Sequence, residues 1–299
     1  MKIGRGRSGD VIDRRGAPAR GLGGGALPIG LGGGGIGIVL LLVFLGIQLL
    51  GGGGGGGGGF GDVFNQFPSS GLGPQGGEQG IPPDADPDRD MVEFLTFVTT
   101  DVNDRWEQYF TDAGDQYERV PLVLFEGQTN TACGVGSEAT GPFYCPADRM
   151  AYLDLDFFEE LHRRFGAPGD FAAAYVIAHE VGHHIQTLTG VSNNVRQESA
   201  RDPDRANDLS VRQELQADCL AGVWGFTAQQ RGLLEAGDLE EALTAAAAIG
   251  DDRIQSQSGG EIRPDTWTHG SSEQRVRWFK RGFDTGEPNQ CDTFSIDEP

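Results

Sequence analysis

The chain has 299 residues, 49 of them glycine, and a formal net charge of −21. Much of the glycine lies near the N-terminus, which leaves roughly 210 residues to build a core, about one domain's worth. So acidic a surface repels nucleic-acid phosphates, so no nucleic-acid partner is expected, and the simplest consequence of the charge is solubility.

The start of the chain runs against this balance. Lys2, Arg5, Arg7, Arg14, Arg15 and Arg20 oppose only Asp10 and Asp13, and residues 1–26 read as a basic cytoplasmic tail. No charged residue occurs between Arg20 and Asp62, and residues 27–50 read LPIGLGGGGIGIVLLLVFLGIQLL. Counting its glycines, that stretch reaches the about 20 residues a transmembrane helix needs. The glycine run 51–59 follows directly, without a small-x-small cleavage pattern, so an uncleaved single-pass anchor is expected. The flanking arginines predict an N-in orientation, with the domain outside the cytoplasm of a bacterial cell membrane. Residues 51–90 pass from polyglycine through GLGPQGGEQG to PPDADPDRD and read as a flexible linker to a domain over 91–299.

Within that domain, Met91, Phe94, Leu95, Val98, Val102 and Trp106 recur at helical spacing. VPLVLFEG and MAYLDLDFF read as strands, the second by clear alternation. Helices dominate thereafter. Asp170 is placed to cap one running to about Leu188, and Ser210 with Gln213 forms a capping-box pattern opening a second. Asp238 starts a third, and Ser271 with Gln274 caps a fourth. Asp251 and Asp252, after a helix end, read as turn and cap residues. The fold class is α+β and helix-rich.

Four cysteines are present and none sits in a C-x-x-C pair. Of the three possible pairings, Cys133 with Cys145 and Cys219 with Cys291 is preferred, because the first two flank a Gly-rich turn and disulfides are permitted outside the cytoplasm. The alternative leaves Cys219 as a small buried apolar residue.

The segment AHEVGHH carries the chemistry. His179 and His183 are four apart, so on a helix both imidazoles project from one face and can share a zinc ion, Zn(2+). Glu180 is placed to act as general base on a water activated by the metal, and Gly182 leaves room on the neighbouring helix face. Glu214, in SVRQELQADC, is the expected third ligand. Asp218, one turn further on, is placed to accept the second N–H of a ligating histidine. His184 competes as a ligand but points off the shared face, and takes a supporting or packing role.

These strings, HEVGHHIQ, RQELQADCLAGVW, GDDRIQ and THGSSEQRVRWF, together with CGVGSEATGPFYCPAD, resemble the bacterial neutral zinc metallopeptidase family over almost the full length. The resemblance implies a zincin-like, gluzincin-type catalytic domain and a single-pass membrane peptidase. It also implies His179, His183 and Glu214 as ligands and Glu180 as catalyst. His269, in THGSSEQR, is either an oxyanion donor or a turn residue. Tyr144, Arg149 and Tyr152 border a groove or a core edge, and His162 is a surface helix residue.

The expected function is therefore a membrane-anchored zinc metalloendopeptidase acting on protein or peptide substrates. The rivals are a noncatalytic cell-envelope binding or assembly factor with a structural zinc, and a cell-wall amidase.

Overall fold

Helix α1 (Arg89–Ala113) buries Phe94, Leu95, Val98, Val102 and Trp106 along one face and stops at Gly114, whose φ of 82° suits glycine. The computed structural model describes residues 1–16, 81, 84–137, 140–166, 169–257, 259 and 261–299. A four-stranded sheet follows in the order β1 (Val11–Asp13), β2 (Leu122–Phe125), β6 (Met150–Asp154), β5 (Phe143–Cys145). The first three strands are parallel, and β5 pairs antiparallel to β6 at the edge. Every residue of β2 is buried, as its unbroken apolar run requires of a strand covered on both faces. A separate hairpin joins β3 (Gln128–Thr131) to β4 (Gly134–Ser137).

The remaining elements are helices: α2 (Asp156–Phe165), α3 (Asp170–Leu188), α4 (Val191–Arg201), α5 (Ala206–Gln230), α6 (Asp238–Ala248), α7 (Asp251–Gln257) and α8 (Ser272–Thr285). The mixed, helix-rich class is thus observed. Helix α3 is buried along most of its length and packs against α1, α5 and α6. Helices α5 and α8 approach closely because Gly222 and Gly282 each face the backbone of the opposite helix. A Cβ on Gly222 would overlap the Phe279 carbonyl, and one on Gly282 the Cys219 carbonyl. The disulfides pair Cys133 with Cys145 and Cys219 with Cys291.

The expected anchor over residues 27–50, and with it the single-pass placement on a bacterial cell membrane, is corrected. No helix of the described residues is long and apolar enough to cross a membrane. Residues 27–50 and the linker up to residue 80 lie outside the described residues. Nor is the basic start a separate tail. Val11 to Asp13 run in register with Leu122 to Leu124, and the Arg7 N–H donates to Thr100 Oγ1 at 2.7 Å. Arg119 bridges Asp10 and Asp104 at 2.7 Å each. One membrane crossing within 27–50 would put residues 1–16 and 89–299 on opposite faces of a bilayer, which this pairing excludes.

Two local expectations are also revised. Asp170 is the first helical residue of α3, preceded by Gly169 at the cap. Helix α5 starts at Ala206, so Ser210 lies inside it and donates its Oγ–H to the Thr268 carbonyl at 2.9 Å. At α8 the capping box forms: Ser271 Oγ accepts from the Gln274 N–H at 3.1 Å, and Gln274 Oε1 accepts from the Ser271 N–H at 2.8 Å.

The α5–α8 contact yields a stability test. In an exposed helix interior, Gly→Ala is favourable by about 1 kcal/mol. Gly282→Ala is expected to reverse that sign, destabilising by about 1–3 kcal/mol through overpacking. Thermal unfolding followed by circular dichroism checks it, and a melting temperature at or above the parent's contradicts the close approach.

Candidate metal centre

The 3.6-residue helical repeat sets His179 and His183 side by side on α3, their ring centroids 4.8 Å apart and perpendicular. Helix α5 crosses beside them, and Gly182 lets it come close: a Cβ there would lie 3.0 Å from Ala217 Cα. Ala217 sits between Glu214 and Asp218, so this contact delivers both carboxylates. Glu214 reaches between the imidazoles, with Oε2 at 3.2 Å from His179 Nε2 and Oε1 at 3.4 Å from His183 Nε2. One donor atom from each of the three side chains lies within 4.8 Å of the others.

The second nitrogen of each imidazole is already engaged. His179 Nδ1 lies 2.9 Å from Asp218 Oδ1, and His183 Nδ1 lies 3.0 Å from Gln186 Oε1. Gln186 is fully buried and donates in turn to the Gln213 carbonyl at 2.7 Å. With both Nδ1–H groups donating, two Nε2 lone pairs and a carboxylate converge with no hydrogen of their own to share. They can then be satisfied only by an added proton or a cation, and the donor set suits zinc. Burial works against a charge on His179, yet Asp218 and Glu214 pull its pKa up to about 10. Burial likewise opposes the Glu214 carboxylate, but His183 and His179 hold it well below the usual range.

Behind this cluster Asp218 is wholly buried. It accepts from Tyr175 Oη–H at 2.5 Å and from Arg275 at 2.8 and 2.9 Å, besides facing His179. Sequence reading placed Asp218 here but gave Arg275, Tyr175 and Gln186 no role. The spacing of Tyr175 and Gln186 from the two histidines along the helix was the available signal. Arg275 carried none, because it arrives from another helix.

Glu180 is buried on the cleft side of α3, and no hydrogen bond to a described residue holds its carboxylate. Burial, with the charge of Glu214, raises its pKa above the ordinary value. The cleft has a volume of about 670 Å³ and a largely apolar wall that includes Phe143, Val176, Ile249 and Ile254. His269 and Tyr144 also line it. His184 stands away from the cluster, with Nε2 at 2.6 Å from the Glu118 carbonyl and Nδ1 at 3.0 Å from Tyr144 Oη. It ties the edge strand to α3. Tyr152 is buried against Phe143, Arg149 pairs with Glu118 at the surface, and His162 is exposed.

Over residues 2–294 the chain matches the model of a family described as "putative neutral zinc metallopeptidase". It is 53% identical over 206 residues to the uncharacterized protein YpfJ of Escherichia coli (strain K12), covering 69% of this chain and 72% of that one. It is 50% identical over 190 residues to the uncharacterized proteins Mb2605 of Mycobacterium bovis and Rv2575 of Mycobacterium tuberculosis, covering 60% of this chain and 64% of each relative. No solved structure matches it.

The Asp218 contact predicts metal affinity. Asp218→Asn keeps the shape but removes the carboxylate that orients His179. Zinc affinity of the folded protein, measured by chelator competition, is expected to fall about 10- to 100-fold. An unchanged affinity would mean that His179 is oriented by other means.

Proposed function

The chain belongs to the neutral zinc metallopeptidase family, and on that premise we propose that it is a zinc-dependent peptide hydrolase of zincin-like design. One observation carries the reading: three convergent donors, His179, His183 and Glu214, adjoin a buried carboxylate, Glu180, that is left free at the wall of an apolar cleft. A structural zinc is normally closed by four protein ligands, whereas this cluster joins three among the described residues. That favours hydrolysis over a noncatalytic binding or assembly role.

When bound, zinc supplies a Lewis acid that acidifies water and polarises a carbonyl. Glu180 accepts a proton from the attacking water, whose oxygen bonds to the scissile carbonyl carbon. Its raised pKa suits a base that must hold that proton before releasing it. The same carboxyl then delivers the proton to the departing amine as the C–N bond breaks. His269, lining the cleft, donates a hydrogen bond to the developing oxyanion. The apolar wall accommodates the side chains of a peptide or protein substrate.

Glu180→Gln removes the base without removing a ligand. Zinc content and melting temperature are expected to match the parent, while hydrolysis of a mixed library of quenched fluorescent peptides falls about 10²- to 10⁴-fold. Parental hydrolysis by a zinc-loaded Glu180→Gln protein overturns the assignment.

A further inference from the structure

His269 sits on a short loop, Thr268 to Gly270, between α7 and α8, and a loop alone does not fix a side chain. Here the backbone is gathered around one oxygen. The N–H groups of Thr268, His269 and Gly270 all donate to Asp251 Oδ2, at 2.8, 2.7 and 3.1 Å. Three successive amides converging on a carboxylate form an anion nest, which Gly270 completes with a φ of 87°. The Asp251 N–H returns a hydrogen bond to the Gly270 carbonyl at 2.9 Å. The neighbouring Asp252 Oδ1 accepts from the Ser272 N–H and Oγ–H at 2.7 and 2.8 Å, tying down the far side of the loop. Ser210, one turn before Glu214 on α5, holds the Thr268 carbonyl.

The other oxygen of Asp251 is turned to the ring. Oδ1 lies 3.2 Å from His269 Nδ1, and Thr268 Oγ1 lies 3.0 Å from the same nitrogen. The Asp251 side chain is 11% exposed, whereas the His269 side chain keeps 25% exposure and lines the cleft. Nδ1 therefore faces the protein and Nε2 is the nitrogen left for the cleft.

We propose that Asp251 is the positioning residue for His269, fixing the loop with one carboxylate oxygen and the imidazole Nδ1–H with the other so that Nε2–H is presented to the cleft. The catalytic consequence rests on the reading of His269 as oxyanion donor; the placement of the ring does not. An ionised partner at Nδ1 also favours the imidazolium, whose Nε2–H is a charge-assisted donor. In keeping with this, burial disfavours a charged His269, but Asp251 and Glu214 raise its pKa above the ordinary value. The GDDRIQ and THGSS segments thus form one unit, and Asp251 and Asp252 are more than the turn and cap residues their sequence suggests.

Asp251→Asn, His269→Ala and the double variant of the full, zinc-loaded chain test the proposal. Asparagine can still accept from the loop amides while presenting an N–H to Nδ1. With a fluorescent peptide cleaved by the parent, Asp251→Asn is expected to lower kcat about 10- to 100-fold with KM nearly unchanged. The double variant should match His269→Ala, because the two residues act as one unit. Where His269→Ala lowers turnover, parental kcat in a folded Asp251→Asn protein, or losses that simply add in the double variant, overturns the proposal. Nitrogen-15 NMR of the imidazoles gives a readout apart from turnover, and only five histidines need assignment. His269 Nδ1 should carry a proton in the parent, and the ring should titrate at lower pH in Asp251→Asn. Identical spectra and titration in both proteins also overturn it. If the spectra differ while His269→Ala keeps parental turnover, Asp251 still positions the ring and it is the oxyanion role of His269 that fails.

Discussion

The geometry of this protein depends on one buried carboxylate. Asp218, on α5, meets Tyr175 and His179 from α3 and Arg275 from α8, and none of its surface reaches solvent. An isolated charge in such a place is strongly disfavoured, and removing one member of a buried pair typically costs about 3–5 kcal/mol because the other is stranded. Asp218 keeps its charge because Arg275 and His179 outweigh the burial that would neutralise it. Three helices must therefore meet at one point. The glycines at 182, 222 and 282 let their backbones come near enough to do so, and the Cys219–Cys291 disulfide fastens the residue next to Asp218. The interaction that orients His179 is thus the same one that closes the core.

Around that junction the polar groups fall into distinct sets. Asp218 and Gln186 are sealed, and each holds the Nδ1 of one histidine. The two Nε2 atoms and Glu214 form the next set, short of protons and suited to a cation. Glu180 stands beside them at the cleft, itself buried, with no hydrogen-bond partner among the described residues and a pKa raised by burial. Metal binding at such a site competes with protons, because every imidazole ligand must give its lone pair. Against the burial that opposes a charge on His179, Asp218 and Glu214 raise its pKa, so both carboxylates favour positive charge there.

That His179, His183, Glu214 and Asp218 come together was legible because the signals are local. His179 and His183 share a helix at a spacing that fixes their common face, and Glu214 and Asp218 repeat the pattern on the next long helix. The capping box at Ser271 was equally readable, since its two hydrogen bonds join residues three apart. Ser210 carries the same pattern and misleads. Helix α5 continues through it in the N-terminal direction, so the amides it would cap are already bonded, and its hydroxyl turns to Thr268. Helix α4 has no buried residue and so no apolar period to find. The basic start failed as a tail because β1 is three residues long, and only the partner strand β2 reveals it. Hydropathy over 27–50 speaks to length and apolarity alone, and carries no information on where residues 1–16 are bound.

The contrast between His179 and His269 shows what supporting contacts accomplish. A helix fixes the backbone of His179 before any side-chain contact is made, so Asp218 has only the ring to orient. His269 has no helix beneath it. The same precision there requires a group that holds backbone and ring together, and Asp251 does both with its two oxygens. Orientation to within a fraction of an ångström is what separates a working site from a merely assembled one. Both histidines lean on an aspartate, but the two aspartates differ in what they must replace. Asp218 supplements a rigid element, and Asp251 takes the place of one. That difference explains why the first is reached by counting turns along a helix. The second becomes visible only when the loop is folded back on the start of α7.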